Sequence, residues 1–219
     1  MAQKTKILLV DDHPMVREWL ATLINQQADL EVCGEADNAP KALQLVGLLN
    51  PNVAMVDISM EGGSGIELIK NIKASHPDVL LIVLSMHDEA LYAERALRAG
   101  ARGYIMKREA TKGVLQAIRC VLSGKLYLSD KMAMMMAEKL VEGRLKAEAP
   151  VIEKLSDREL EVFQLLGRGY STRQIADELH VSFKTVQAFC ARIKEKLNIV
   201  SANELLREAV RWHDGQQEK

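Results

Sequence analysis

Apolar positions along the first 125 residues follow two rhythms. Short continuous apolar runs stand at Lys6–Val10, Leu30–Glu35, Val53–Asp57, Leu80–Ser85 and Gly103–Met106. Between them, at His13–Gln27, Asn38–Leu49, Ser64–Ser75, Asp88–Ala99 and Ala110–Ser123, apolar residues recur three and four positions apart. A strand buried on both faces needs a continuous run, whereas three-and-four spacing gathers apolar side chains on one face of a helix. Strands alternating with helices in this way predict a doubly wound α/β domain around a five-stranded parallel sheet. The last run is the weakest in pattern and is placed partly by Gly100 and Gly103.

Beyond this region the texture changes. Met132, Met134, Met135 and Met136 sit in a helical stretch, followed by Gly143 and by Ala147-Glu148-Ala149-Pro150. Residues 129–153 therefore read as a linker helix and a short tether. The methionine stretch reads first as an amphipathic helix packing on its own domain, with an adaptable contact to another domain or copy as the alternative. Residues 154–219 are helical throughout. Ser156-x-x-Glu159, Ser171-x-x-Gln174 and Ser201-x-x-Glu204 have the spacing of capping boxes, and Ser182 caps a further helix. The close pair Thr172–Leu179 and Phe183–Leu197 has the layout of a helix-turn-helix. The chain thus divides into 1–128, 129–153 and 154–219.

Composition narrows the class. With 219 residues, 48% hydrophobic and 4% aromatic, the chain is an ordinary globular protein with room for two small domains. Its strongest apolar run, Val79–Leu84, is far too short to span a bilayer, and no signal-peptide layout precedes the first strand. Three widely spaced cysteines (Cys33, Cys120, Cys190) point to a reducing cytoplasm and away from a disulfide framework or zinc site. A net charge of -1 leaves nucleic acid open. From Val151 onward, 11 basic residues balance 11 acidic ones, yet Phe183–Leu197 is locally basic, with Lys184, Arg192, Lys194 and Lys196 against Glu195.

Candidate chemistry gathers at strand ends. Asp11 and Asp12, Asp57, Ser85 and Lys107 each follow or close a predicted strand. Ligands of open α/β sheets bind outside the carboxyl ends of the strands, so these groups can converge from distant parts of the chain. Alone, each has an ordinary reading: a helix cap for the aspartates and Ser85, a solvated lysine for Lys107. Jointly they describe a site. Three carboxylates repel one another unless a cation sits among them, and oxygen ligands favour Mg²⁺. A cation, a lysine and a hydroxyl around one aspartate suit phosphoryl transfer, where catalysis is mostly positioning and charge neutralisation.

Leu8-Leu9-Val10-Asp11-Asp12-His13, Val56-Asp57-Ile58-Ser59-Met60, Leu84-Ser85-Met86-His87-Asp88 and Gly103-Tyr104-Ile105-Met106-Lys107 occur in order. Together they make residues 6 to 125 resemble the flavodoxin/CheY-like receiver domain of two-component response regulators. Leu155-Ser156-x-Arg158-Glu159-x-Glu161-Val162, Gly169-x-Ser171-x-x-x-Ile175-Ala176, and Ser182-x-x-Thr185-Val186 with Lys196-Leu197 make residues 155 to 212 resemble the DNA-binding domain of the NarL/FixJ (LuxR-type) subfamily.

The resemblance implies that Asp57 accepts a phosphoryl group from a histidine kinase. It implies that Asp12, Asp57 and the Ser59 main-chain carbonyl hold Mg²⁺, with Asp11 assisting. Ser85 and Lys107 are then expected to bind phosphoryl oxygens, with Tyr104 as the aromatic switch. Homodimerisation on phosphorylation and binding of double-stranded DNA are implied as well. Helix periodicity puts Val186, Cys190, Ile193 and Leu197 on one apolar stripe, with Phe189 packing at its edge. Lys184, Thr185, Gln187, Ala188, Ala191 and Arg192 are then expected to face DNA. Two departures stand out: Glu61-Gly62-Gly63 where the family often has Pro-Gly after the methionine, and Gln187 and Phe189 where it often has lysine and histidine. A protein-binding output domain is the alternative reading. An aspartate-nucleophile phosphatase fits less well, because Ser59 stands where a second carboxylate is needed.

Overall fold

The computed structural model describes residues 4–60, 63–87, 89–141 and 151–217. Glu61 and Gly62 of the departing loop, Asp88, and the tether residues 142–150 lie outside the described residues. The chain forms two compact units, Met1–Val141 and Glu142–Lys219.

In the first unit, β1 (Thr5–Val10), α1 (Pro14–Asn25), β2 (Leu30–Ala36), α2 (Ala39–Leu49) and β3 (Val53–Val56) lead into a small ladder of β4 (Ser59–Met60) and β5 (Gly63–Ser64). Then follow α3 (Gly65–Ser75), β6 (Leu80–Ser85), α4 (Glu89–Ala99), β7 (Gly103–Met106), α5 (Ala110–Leu122) and α6 (Asp130–Val141). The main sheet is five-stranded and parallel, in the order β2-β1-β3-β6-β7. This is the doubly wound sheet that the alternating pattern predicts. Its strand order reverses between β1 and β3, which puts the switch point beside Asp11 and Asp57. Register completes the arrangement: Val10 pairs with Val56, Val56 with Val83, and Ser85 with Met106, so the carboxyl ends lie level.

Both sheet faces are covered. Ile7, Leu9, Val53, Met55, Ile82 and Leu84 form one core with Leu20 and Ile24 of α1 and Val114, Ile118 and Val121 of α5. The alternate residues Leu8, Val10, Ala54, Val56 and Val83 are equally buried, as the two-residue period of a strand requires.

Two features were not legible in the pattern. The β4–β5 ladder is too short to carry a periodicity. After α5 the chain also returns to the sheet edge: the Tyr127 N–H donates to the Arg102 carbonyl at 2.9 Å, and the Tyr104 N–H donates to the Tyr127 carbonyl at 2.9 Å. The helix α6 follows directly, with Met132 buried and Met134 exposed.

The second unit opens with a short 3-10 turn at Val151–Lys154 and contains α7 (Asp157–Gly167), α8 (Thr172–Glu178), α9 (Phe183–Lys196) and α10 (Ala202–Gln217). Leu160, Phe163, Ile175, Val186, Ile193, Leu205 and Ala209 are buried in it, and Phe163 tilts against Trp212 with ring centroids 5.8 Å apart. A Cβ on Gly167 would fall 2.5 Å from the Ala209 carbonyl, so glycine lets α7 and α10 approach closely. The Ser156–Glu159 and Ser171–Gln174 boxes are complete. The third is not the expected box: Ser201 Oγ accepts the Glu204 N–H at 3.1 Å, but the Glu204 carboxylate reaches one residue further back, to the Val200 N–H at 3.1 Å.

Candidate functional site

The strand ends of the first unit bring the polar residues together. Asp57 follows β3 and is anchored by its N–H, which donates to the Val10 carbonyl at 2.8 Å. Its side chain is buried, and each oxygen has a donor. Oδ1 accepts the Ser59 N–H at 3.1 Å, and Oδ2 accepts Lys107 Nζ at 2.7 Å. Lys107 Nζ also lies 2.7 Å from Asp11 Oδ2, so one ammonium spans two buried carboxylates. Burial pushes the Asp57 carboxyl up to about 6, with the nearby Asp11 charge adding to the rise and Lys107 opposing it. Burial works against the Lys107 ammonium too, but the two aspartates outweigh it and push its pKa up. The loop leaves no room beneath. A Cβ on Gly65 would fall 2.0 Å from the Asp57 carbonyl, so glycine at the start of α3 is what lets that helix abut the acidic loop.

Asp11 plays two parts. Its Oδ1 accepts the His13 N–H at 2.9 Å, the local role expected of an aspartate before a helix, while Oδ2 faces Lys107. His13 Nδ1 lies 3.0 Å from Asp11 Oδ1 and 2.7 Å from Asp12 Oδ1. Arg17 Nη1 donates to the Asp11 carbonyl at 2.6 Å and its Nε to Glu35 at 3.2 Å, adding a second positive group. Sequence alone carries His13 only within the Asp11-Asp12-His13 motif, and the available signal for Arg17 is its place four residues after that N-cap. Asp11, Asp12, His13 and Asp57 each offer a donor atom, all within 4.8 Å of one another. Carboxylate oxygens at this spacing fit a hard divalent cation.

Ser85 is fully buried at the end of β6, and its Oγ accepts the His87 N–H at 3.0 Å. Tyr104 is buried as well, with its hydroxyl donating to the His87 carbonyl at 3.0 Å. The His87 ring stacks on Tyr92 with centroids 4.5 Å apart, and its Nε2 is hydrogen-bonded to the Ser59 hydroxyl. His87 thus links β4, β6 and β7 through Ser59, Ser85 and Tyr104. In the sequence it stands only as part of a motif, and nothing in its spacing marks it as a junction.

In the second unit α9 divides as periodicity requires. Val186 and Ile193 are buried, Phe189, Cys190 and Leu197 are half-buried, and Lys184, Gln187, Ala188, Ala191 and Arg192 are exposed. Thr185 is less open. Its N–H donates to Ser182 Oγ at 3.1 Å and its own hydroxyl lies 2.7 Å from that atom, so it takes part in the cap. Lys196 is exposed, yet its Nζ lies 2.6 Å from the buried Glu159 of α7. Burial alone would raise the Glu159 carboxyl, but hydrogen bonds from Lys196 and Ser156 hold it below the usual range. That pairing gives one of the basic residues of α9 an acidic partner.

Comparisons with known proteins agree with this arrangement. Residues 7–119 match the response regulator receiver domain, and residues 153–209 match the bacterial regulatory proteins of the luxR family. The oxygen regulatory protein NreC of Staphylococcus carnosus is 35% identical over 210 residues, which span 94% of this chain and 97% of the relative. A LuxR-family two-component response regulator from Aurantimonas sp. SI85-9A1 superposes with a TM-score of 0.59 at 32% identity, covering 64% of this chain and 99% of that one. RcsB from Salmonella enterica serovar Typhimurium, solved bound to promoter rprA with the phosphomimetic BeF3-, gives a TM-score of 0.59 at 25% identity, covering 94% of this chain and 98% of that one. Among the described residues no helix is long and apolar enough to cross a membrane. The chain belongs to the NarL/FixJ family of two-component response regulators, transcription regulators that join a receiver to a LuxR-type helix-turn-helix DNA-binding domain.

Proposed function

We propose that this protein is a DNA-binding transcription regulator switched by phosphorylation of Asp57, with a sensor histidine kinase as phosphodonor. The observation that carries the reading is Lys107 Nζ, 2.7 Å from the carboxylates of both Asp57 and Asp11 at the switch point of the sheet. An Asp57 oxygen attacks the phosphorus of the kinase phosphohistidine; a P–O bond forms, the P–N bond breaks and the imidazole leaves. Asp11, Asp12, Asp57 and the Ser59 main-chain carbonyl are the groups that would hold Mg²⁺, which supplies neutralisation of the phosphoryl charge when bound. Lys107 supplies a second positive charge, and the Ser85 hydroxyl donates to a phosphoryl oxygen. Tyr104 follows Ser85 as the reporting aromatic, and phosphorylated copies form a homodimer. The free cysteines, Cys33, Cys120 and Cys190, suit a cytoplasmic protein.

On this reading the exposed face of α9 enters the major groove. Gln187 and Ala188 approach base edges, Ala191 lets the backbone come close, and Lys184 and Arg192 meet phosphates, with Thr185 holding the cap beside them. The balanced charge of the output unit supports one rival, an output domain that grips a protein. Intact mass after incubation with acetyl phosphate and Mg²⁺ tests the acceptor: wild type gains one phosphoryl group and Asp57→Asn none. Equal uptake by Asp57→Asn overturns the assignment. A gel shift on random-sequence DNA, with and without acetyl phosphate, decides between DNA and protein as the output partner.

A further inference from the structure

Glu89, the first residue of α4, is a carboxylate only 8% exposed. Acidic side chains are rarely buried without dedicated partners, and here the partner is Ser129. The Ser129 N–H donates to Glu89 Oε1 at 3.0 Å, and the Ser129 hydroxyl donates to Oε2. The same hydroxyl oxygen accepts the Met132 N–H at 3.1 Å, and the Ser129 carbonyl accepts the Ala133 N–H at 2.9 Å. Ser129 is therefore the N-cap of α6, and one carboxylate on α4 fixes it in place. At its other end α6 runs to Val141, where the chain continues toward the output unit.

Glu89 also stands two residues beyond His87, which is hydrogen-bonded to Ser85 and Tyr104. The Ser85 hydroxyl accepts the His87 N–H, and the His87 carbonyl accepts the Tyr104 hydroxyl. Tyr104 is in turn held to Tyr127 through the backbone, two residues before Ser129. A cavity of about 600 Å³ lined by Glu89, Tyr104, Tyr127 and Ser129 lies at this joint, so its parts have space in which to shift.

We propose that Glu89 is a positioning residue that couples the phosphorylation site to the linker helix through Ser129. The proposal rests on the reading of Ser85 as a phosphoryl-binding hydroxyl. When that hydroxyl turns to a phosphoryl oxygen, the His87 N–H loses its acceptor and the loop rearranges. Glu89 moves with the loop at the start of α4. Two hydrogen bonds to one carboxylate are stronger and more directional than neutral ones, so Ser129 and the first turn of α6 follow.

Hydrogen exchange of the full-length protein, with and without beryllofluoride and Mg²⁺, tests this link. Peptides covering 82–87 report the site and peptides covering 130–141 report α6. In wild type both respond, with α6 exchange changing by about threefold or more. Ser129→Thr keeps the hydroxyl and retains both responses. Ser129→Asp keeps a cap for α6 but sets a carboxylate against Glu89, and Glu89→Ala removes the link from the other side. Both lose the α6 response while the 82–87 response persists. A frayed helix would exchange fast with or without the mimic, so basal α6 protection matching wild type separates lost coupling from fraying, and Ser129→Asp serves should Glu89→Ala fold poorly. An α6 response that survives in Ser129→Asp overturns the coupling, as does a wild type in which 82–87 responds and α6 does not. Silence at both places in wild type brings down the phosphorylation reading, and the coupling with it.

Discussion

At the scale of single residues, Asp57 bears a cost that its position explains. A buried carboxyl raised from 3.8 to about 6 favours folding fully only below the lower value, and that contribution is lost as the pH rises through the upper one. The metal-free protein therefore carries the cost of a buried charge at neutral pH, about 3 kcal/mol at most on 1.36 kcal/mol per pKa unit. Asp57→Asn is expected to stabilise the metal-free protein by about 1–3 kcal/mol at pH 7.5 and to give no gain near pH 4. Urea unfolding at both pH values checks this. A destabilised Asp57→Asn at pH 7.5 would show that the Lys107 pairing outweighs burial. The acidic residues were legible from their places after apolar runs. The groups around them were less so: Arg17 reaches the Asp11 carbonyl six residues back, but His87 and Glu89 act through Ser59 and Ser129, 28 and 40 positions away, which no local pattern announces.

At the scale of elements, the recognition helix α9 was legible in its two faces and not in its ends. Four-three-four spacing of Val186, Cys190, Ile193 and Leu197 located the inward face, whereas the pairing of Lys196 and the capping role of Thr185 depend on Glu159 and Ser182. On the proposed reading the exposed face offers Gln187 for hydrogen bonds to bases, and Lys184 and Arg192 for phosphates. Gln187 near the N-terminal half offers the paired donor and acceptor that suit adenine, so Gln187→Ala is expected to relax preference at one base pair by about 1–3 kcal/mol. Lys184→Ala is expected to weaken binding to all sequences and to lower the log–log salt slope by about one. Titrations on a selected and a scrambled site at several salt concentrations separate the two effects. Equal loss on both sites for Gln187→Ala would remove it from base reading.

At the scale of the whole molecule, the proposed function makes charge the link between phosphorylation and DNA. The output unit balances 11 basic residues with 11 acidic ones from Val151 onward, and Lys196 is committed to Glu159. A single copy then neutralises few phosphates, and few counterions are released when it binds. Two copies joined through their receivers present a second unit at high effective concentration, so affinity rises without any new contact in either unit. Treatment of the full-length protein with acetyl phosphate is therefore expected to tighten binding to a two-fold symmetric site by about tenfold or more at moderate salt. The log–log salt slope is expected to rise about twofold, because twice as many phosphates are contacted. Asp57→Asn should show neither change. Fluorescence anisotropy on one half-site and on the paired site, across a salt series, checks both quantities. A gain in affinity with an unchanged slope would mean that phosphorylation alters one output unit directly, and dimerisation would then not be the step that brings the protein to DNA.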